Sequence, residues 1–265
     1  MKCLNFRLTV FSCLTASSLL AQTPQQIEAD LLRSFKKIDY WYQRANDTTA
    51  NADLAANDSL ENANDFFARK LKNYAEKYPS TITYPFDSIR KRYLSISTSA
   101  DGLFRIYSWD KETGGTMHFF ENVMQYKTGV RTMAVIDTPQ SEGDFGPSYN
   151  KINTFEAKGG TYYLTNYLFV ESSRYSAFGI TVFTIEGSKL VAAKIIRTSS
   201  GLHSGISYEV DFSKICEKTY SKLPQIHFSN ATNTIYLPVV NWNYQMTNKF
   251  ILYKFTGRYF ERVKN

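Results

Sequence analysis

Histidine and cysteine are scarce in this chain of 265 residues, with three of each. His118, His203 and His227 lie far from one another and from Cys3, Cys13 and Cys216, and neither H-x-x-x-H nor C-x-x-C occurs. That spacing excludes the common zinc sites, and no metal or cofactor is assigned. Glycine motifs of catalysis are missing as well. In Gly201-Leu202-His203-Ser204-Gly205 the serine stands one position too late for a nucleophile elbow. Neither Gly114-Gly115 nor Gly159-Gly160 opens a helix, as a phosphate loop requires. Asp137, Glu142 and Asp144 share a loop, but their order is not that of an EF-hand, and a hydrated acidic loop is the simpler reading. No residue is assigned a catalytic role.

Long apolar runs are confined to the amino terminus. Lys2 and Arg7 precede a mostly apolar stretch over 8–20, and Ala21 offers a small residue before Gln22, the layout of a secretory signal peptide over 1–21. The stretch falls short of the roughly 20 residues that cross a bilayer, so no spanning segment is expected in the mature chain. The cysteine of Val10-Phe11-Ser12-Cys13 sits in a weak lipobox, and release to the periplasm or the exterior is preferred to a lipid anchor there. Removal of the leader leaves Cys216 alone, read as a buried free thiol that cannot form an internal disulfide. Packing must therefore supply the stability, for which about 240 residues suffice.

Charge is moderate: 31 basic residues against 24 acidic, a formal +7. The cations are scattered, with Arg90-Lys91-Arg92 the one tight cluster. Together with export, this makes nucleic acid an unsuitable partner.

The segment 22–80 reads as a helical hairpin. Thr23-Pro24-Gln25-Gln26 forms a capping-box start, and Ile27, Leu31, Phe35, Ile38 and Tyr42 follow at helical spacing. A second stripe, Phe67, Leu71, Tyr74 and Tyr78, stops at Pro79. Both stripes need an apolar partner surface.

From 81 to 265 β-branched and aromatic residues dominate, and one pattern recurs three times: strand, long loop, strand, tight X-Gly turn, strand. The copies run over 103–136, 162–196 and 235–263, turning at Thr128-Gly129, Glu186-Gly187 and Thr256-Gly257. Extra strands at 93–97, 153–156 and 226–229 make each copy a four-stranded meander, and 208–212 adds one more strand. The expected fold is α+β, mainly β: a helical hairpin packed on antiparallel β-meander modules, propeller-like or open stacked sheets, with a β-sandwich as the alternative. Pro238 predicts an edge or a bulge in its strand, since it has no N–H for a ladder.

Aromatics are abundant, with 19 Tyr, 19 Phe and three Trp. Most must fill cores. Trp109 and Trp242, however, fall where the first strand of modules one and three enters its long loop, followed by Asp110 and Glu112 and by Asn243 and Tyr244. Equivalent loops of repeated modules gather on one face, and aromatic surface beside polar groups suits sugars or peptide. These six residues are the candidate ligand-binding set. The competing reading places both indoles in the core rim.

The run from Ser99 to Asp110, continued by Thr113-Gly114-Gly115-Thr116-Met117-His118, resembles uncharacterised exported proteins of Bacteroidetes-type bacteria. The Ala21-Gln22 junction and the closing 250–260 segment are similar too. The resemblance implies an envelope or secreted location and carries no activity. It also makes Asp47-Thr48-Thr49, Asp58-Ser59-Leu60 and Asp87-Ser88-Ile89 resemble acceptors for O-glycosylation.

The expectation is an exported, non-enzymatic protein that binds a cell-surface glycan, a peptide or a partner protein. Two alternatives are a hydrolase of surface polysaccharide or peptidoglycan, for which Asp110 and Glu112 would be the carboxylates, and a structural envelope component.

Overall fold

The computed structural model describes residues 22–47, 55–137, 144–215, 220 and 222–264. The expected leader, Thr48 and Thr49, Glu142 and Cys216 lie outside these residues.

Helix α1 (Pro24–Ala45) begins as its sequence dictates. The Gln26 N–H donates to Thr23 Oγ1 at 3.3 Å and the Thr23 N–H donates to Gln26 Oε1 at 2.8 Å, a closed capping box. Its stripe of Ile27, Leu31, Phe35 and Ile38 is buried against α2 (Ala56–Lys77), which contributes Leu60, Phe67 and Leu71. Pro79 ends the second helix by opening a 3-10 turn, Pro79–Ile82. One further turn of helix, α3 (Asp87–Arg90), is tied back to α1, because Glu28 accepts hydrogen bonds from the Ser88 N–H and from the Tyr84 hydroxyl. Among the described residues no helix is long and apolar enough to cross a membrane.

The β body follows as three open sheets. Sheet A is the meander β1 (Ser95–Thr98), β2 (Phe104–Asp110), β3 (Phe120–Thr128) and β4 (Arg131–Asp137). Sheet B joins β5 (Ser148–Ala157), β6 (Gly160–Val170) and β7 (Tyr175–Glu186). The outer edge of β7 is shared by β8 (Lys189–Ala192) at one end and β11 (Gly205–Asp211) at the other. Sheet C is the meander β12 (His227–Ser229), β13 (Thr234–Val240), β14 (Met246–Phe255) and β15 (Phe260–Arg262). It is extended by β9 (Ile196–Thr198), parallel to β15, and by β10 (Gly201–His203). The three X-Gly turns all form, with Gly129, Gly187 and Gly257 at φ +59°, +60° and +97°, where a side chain would be strained.

Strand alternation sorts the side chains into layers. From β2, Tyr107 and Trp109 face the helices, while Phe104 and Ile106 face sheet B. From β6, Tyr163 faces sheet A and Leu164 faces sheet C, where Ile180, Val182, Ile235, Leu237 and Phe260 complete the core. The order is helices, A, B, C: stacked open sheets capped at one end by the helical pair. Arg105 is buried under that cap and donates to the Thr81 and Tyr84 carbonyls at 2.7 and 2.6 Å, fixing the 3-10 turn to the sheet.

Two strand expectations have distinct outcomes. Pro238 pairs with Phe250 just before a register shift between Pro238 and Val240, and β12 stops opposite Tyr236, so the bulge is present and, among the described residues, no strand pairs with that edge beyond Tyr236. The single strand expected over 190–196 instead divides. Residues up to Ala192 stay on β7, and Ile196 begins a strand of sheet C. Ala193, Ile195 and Ile196 are all buried between the two sheets, so their apolar contacts carry the chain across the interface.

Candidate functional site

The connections after β2, β6 and β13 leave their sheets at the same end of the stack. The His118 N–H donates to the Val170 carbonyl at 3.1 Å, and the Asp211 N–H to the Tyr244 carbonyl at 3.0 Å. The β4–β5 connection joins them, with the Phe120 N–H donating to the Phe145 carbonyl at 2.8 Å. Short local bonds shape each loop. Asp110 Oδ1 accepts the Glu112 N–H at 2.8 Å, which holds Glu112 at φ +58°, and Asn241 Oδ1 accepts the N–H groups of Asn243 and Gln245. A Cβ on Gly114 would lie 1.9 Å from the Met117 carbonyl oxygen, so the first loop closes only on glycine.

A groove of about 850 Å³ opens at this end, where β11 meets the bulged end of β13. Phe169, Ala177 and Glu209 stand opposite one another on β6, β7 and β11, and the small Ala177 leaves room between its neighbours. Phe145 packs edge-on against Phe169 at 5.4 Å, and Tyr244 closes the sheet C side beside Val239, Val240 and Asn241. Glu171 and Glu209 line the groove and form no ion pair with any described residue. Burial pushes the Glu171 carboxyl up from its ordinary range, and the charge of Glu209 pushes it further. Behind the rim, Arg174 grips the buried Asp211 at 2.9 and 2.7 Å and holds that carboxyl well below the usual range. This pair anchors the β6–β7 connection to the end of β11.

The six sequence candidates separate. The Trp109 ring is 2% exposed and points under the helices, packing edge-on against Phe67 at 5.0 Å and donating its indole N–H to Asn64 Oδ1 at 3.1 Å. It does not reach the loop face. Trp242 is 88% exposed at the tip of the β13–β14 connection. Asn243 beside it is half-buried, and Tyr244 alone of the six lines the groove. Asp110 ends β2 and Glu112 follows it on the β2–β3 connection. There Asp110 Oδ2 meets His118 Nδ1 in a very short contact, and burial followed by the charge of Asp110 raises the Glu112 carboxyl. Among the described residues no group of three or more acidic, histidine or cysteine side chains could hold a metal ion. Asp137, burdened by burial and by Asp144, has its carboxyl pushed up to about 6. Of the glycosylation-like triplets, Ser88 is exposed on α3 and Ser59 is half-buried on α2.

Sequence reasoning missed Phe145, Phe169, Glu171 and Glu209. A signal existed: Phe169-Val170-Glu171 occupies in the second module the place that Trp109-Asp110-Lys111 occupies in the first. The aromatic residue there is Phe169, so the tryptophan pattern shared by modules one and three does not include it. Protein-family models, curated proteins and solved structures gave no match to this chain.

Proposed function

We propose that this is an exported protein of the cell envelope or its exterior that binds, without chemical turnover, a peptide segment carrying Lys or Arg in the loop-end groove. One observation carries the reading: two carboxylates without an ion-pair partner among the described residues, Glu171 and Glu209, line the groove beside the aromatic pair Phe145 and Phe169. Burial, and after it the charge of Glu209, disfavours the ionised Glu171 carboxyl, and a cationic side chain entering the groove offsets both. The edge of β13 beyond Tyr236, which no described strand pairs, supplies backbone groups to an extended ligand, and the aromatic rings supply its apolar contacts. Export is supported by the leader pattern over 1–21 and by the resemblance to exported Bacteroidetes-type proteins.

Titration of the mature chain with a peptide alternating Lys and Phe tests the groove. Binding is expected to weaken at least tenfold in Glu171→Gln/Glu209→Gln, and a peptide alternating Glu and Phe should not bind. Equal affinity of the variant and the parent sinks the reading. Export is tested by the mass of the protein recovered outside the cytoplasm, which should begin at Gln22. A hydrolytic reading rests on Asp110 and His118, since a carboxylate on Nδ1 orients the other ring nitrogen as a base. Turnover of peptidoglycan that disappears in His118→Ala would replace binding with catalysis.

A further inference from the structure

We propose that the end of sheet A that faces sheet B is a binding site for a hard divalent cation, calcium in preference to magnesium, held by the side-chain oxygens of Asn122, Asp137 and Asp144. Cross-strand register sets Ser108, Asn122 and Asp137 in one row over β2, β3 and β4. Alternation puts this row on the side of Met124 and Tyr126, which pack toward sheet B. Polar groups inside such an interface need partners. Ser108 Oγ accepts the Tyr149 N–H at 3.2 Å, and the Asn122 amide group donates to the Pro147 carbonyl at 2.9 Å. The oxygen of that amide is different. Asn122 is 1% exposed, and its Oδ1 is buried with no hydrogen-bond partner among the described residues.

Asp137 stands directly opposite Asn122 on the neighbouring strand, so the two side chains are cross-strand neighbours. Among the described residues the Asp137 carboxylate has no cation to pair with, and burial, followed by the charge of Asp144, disfavours its ionised form. Asp144 is brought alongside by a fixed turn: its Oδ1 accepts the Gly146 N–H at 3.0 Å, and the next carbonyl, of Phe145, accepts the Phe120 N–H at 2.8 Å. Two carboxylates and an unsatisfied amide oxygen therefore converge where no described donor answers them. A water molecule could satisfy the amide but brings no charge, whereas a divalent cation answers all three. Carboxylate and amide oxygens suit calcium, magnesium or manganese rather than zinc or copper. Ligation by a buried amide oxygen requires the ion to shed water on that side, which magnesium does reluctantly and calcium readily. Asp144 also touches the rim of the groove, but Glu171 and Glu209 take no part in the site, so this inference stands apart from the proposed function.

The test is calorimetric titration of the mature chain with calcium chloride, with magnesium chloride in parallel. One calcium per chain is expected, with a Kd of about 10⁻⁴–10⁻³ M, magnesium at least tenfold weaker, and a melting temperature that rises with calcium concentration. Asp137→Asn should weaken calcium binding at least tenfold. Without calcium that variant should melt no lower than the parent, because it removes a buried charge, so loss of binding in it is not loss of the fold. Glu171→Gln/Glu209→Gln should leave calcium binding intact, which keeps this site distinct from the groove. Undiminished affinity in Asp137→Asn, or magnesium bound as tightly as calcium, overturns the inference. A proton held between Asp137 and Asn122 would leave the chain indifferent to millimolar calcium, and that result overturns it as well.

Discussion

Replacing Trp109 should damage the fold, and replacing Trp242 should not, although both indoles follow the same pattern in sequence. Trp109 is enclosed by Phe67 and α2, and its N–H satisfies Asn64 Oδ1, while the Asn64 amide group donates to the Leu60 and Lys111 carbonyls at 3.0 and 2.9 Å. Trp109→Ala removes a buried ring and orphans that oxygen, for a loss of about 3–5 kcal/mol by comparison with other buried aromatics. Trp109→Phe keeps most of the contact but not the hydrogen bond, and should cost about 1–3 kcal/mol. Trp242→Ala, on an exposed loop tip, should stay within about 0.5 kcal/mol of the parent. Urea unfolding followed by circular dichroism gives all three from the midpoints at constant slope. A double-mutant cycle of Trp109→Phe with Asn64→Ala should show coupling of about 1 kcal/mol. If Trp109→Ala unfolds at the parent's urea concentration, the assignment of this ring to the helix–sheet core is wrong.

Further tests address buried acid, close packing and capping. Burial pushes the Glu121 carboxyl up to about 7, with Lys111 pulling the other way, and its Oε2 has no hydrogen-bond partner among the described residues. A folded-state value above the unfolded one means stability is highest below the unfolded range and is lost as pH rises through about 7. Glu121→Gln should flatten that fall, raising stability at pH 8 by on the order of 2 kcal/mol in urea midpoints, and an unchanged pH profile would refute this. A Cβ on Gly179 would come within 2.3 Å of the Tyr167 ring, so Gly179→Ala should lower the melting temperature by the equivalent of about 1–3 kcal/mol. Thr23→Ala opens the capping box and should cost about 1 kcal/mol, whereas Thr23→Ser should be nearly silent.

Elements governed by local chemistry were legible. Thr23 and Gln26 specify a cap, Pro79 stops a helix, and Pro238 cannot sit in a regular ladder, whatever surrounds them. Four-strand modules were legible for the same reason, since each tight turn carries its own glycine. Direction of burial was not. Both faces of β2 are apolar because sheet A lies between the helices and sheet B, so alternation could not say where Trp109 points. Nor could it reveal that the chain leaves sheet B after Ala192, because Leu190, Val191, Ile195 and Ile196 suit either sheet. The groove depends on Ala177 standing between Phe169 and Glu209, residues brought level only by pairing register.

Strand β9 has a bearing on how the molecule assembles. It is flanked by its hairpin mate β10 and by β15, and β15 is made after everything from β10 to β14. A nascent chain can therefore complete sheet A early, yet it carries an open seam in sheet C until residues 260–262 arrive to zip it shut. Loss of those few residues would leave Ile196 and its neighbours as a sticky, unmatched border, turning a small truncation into an aggregation problem.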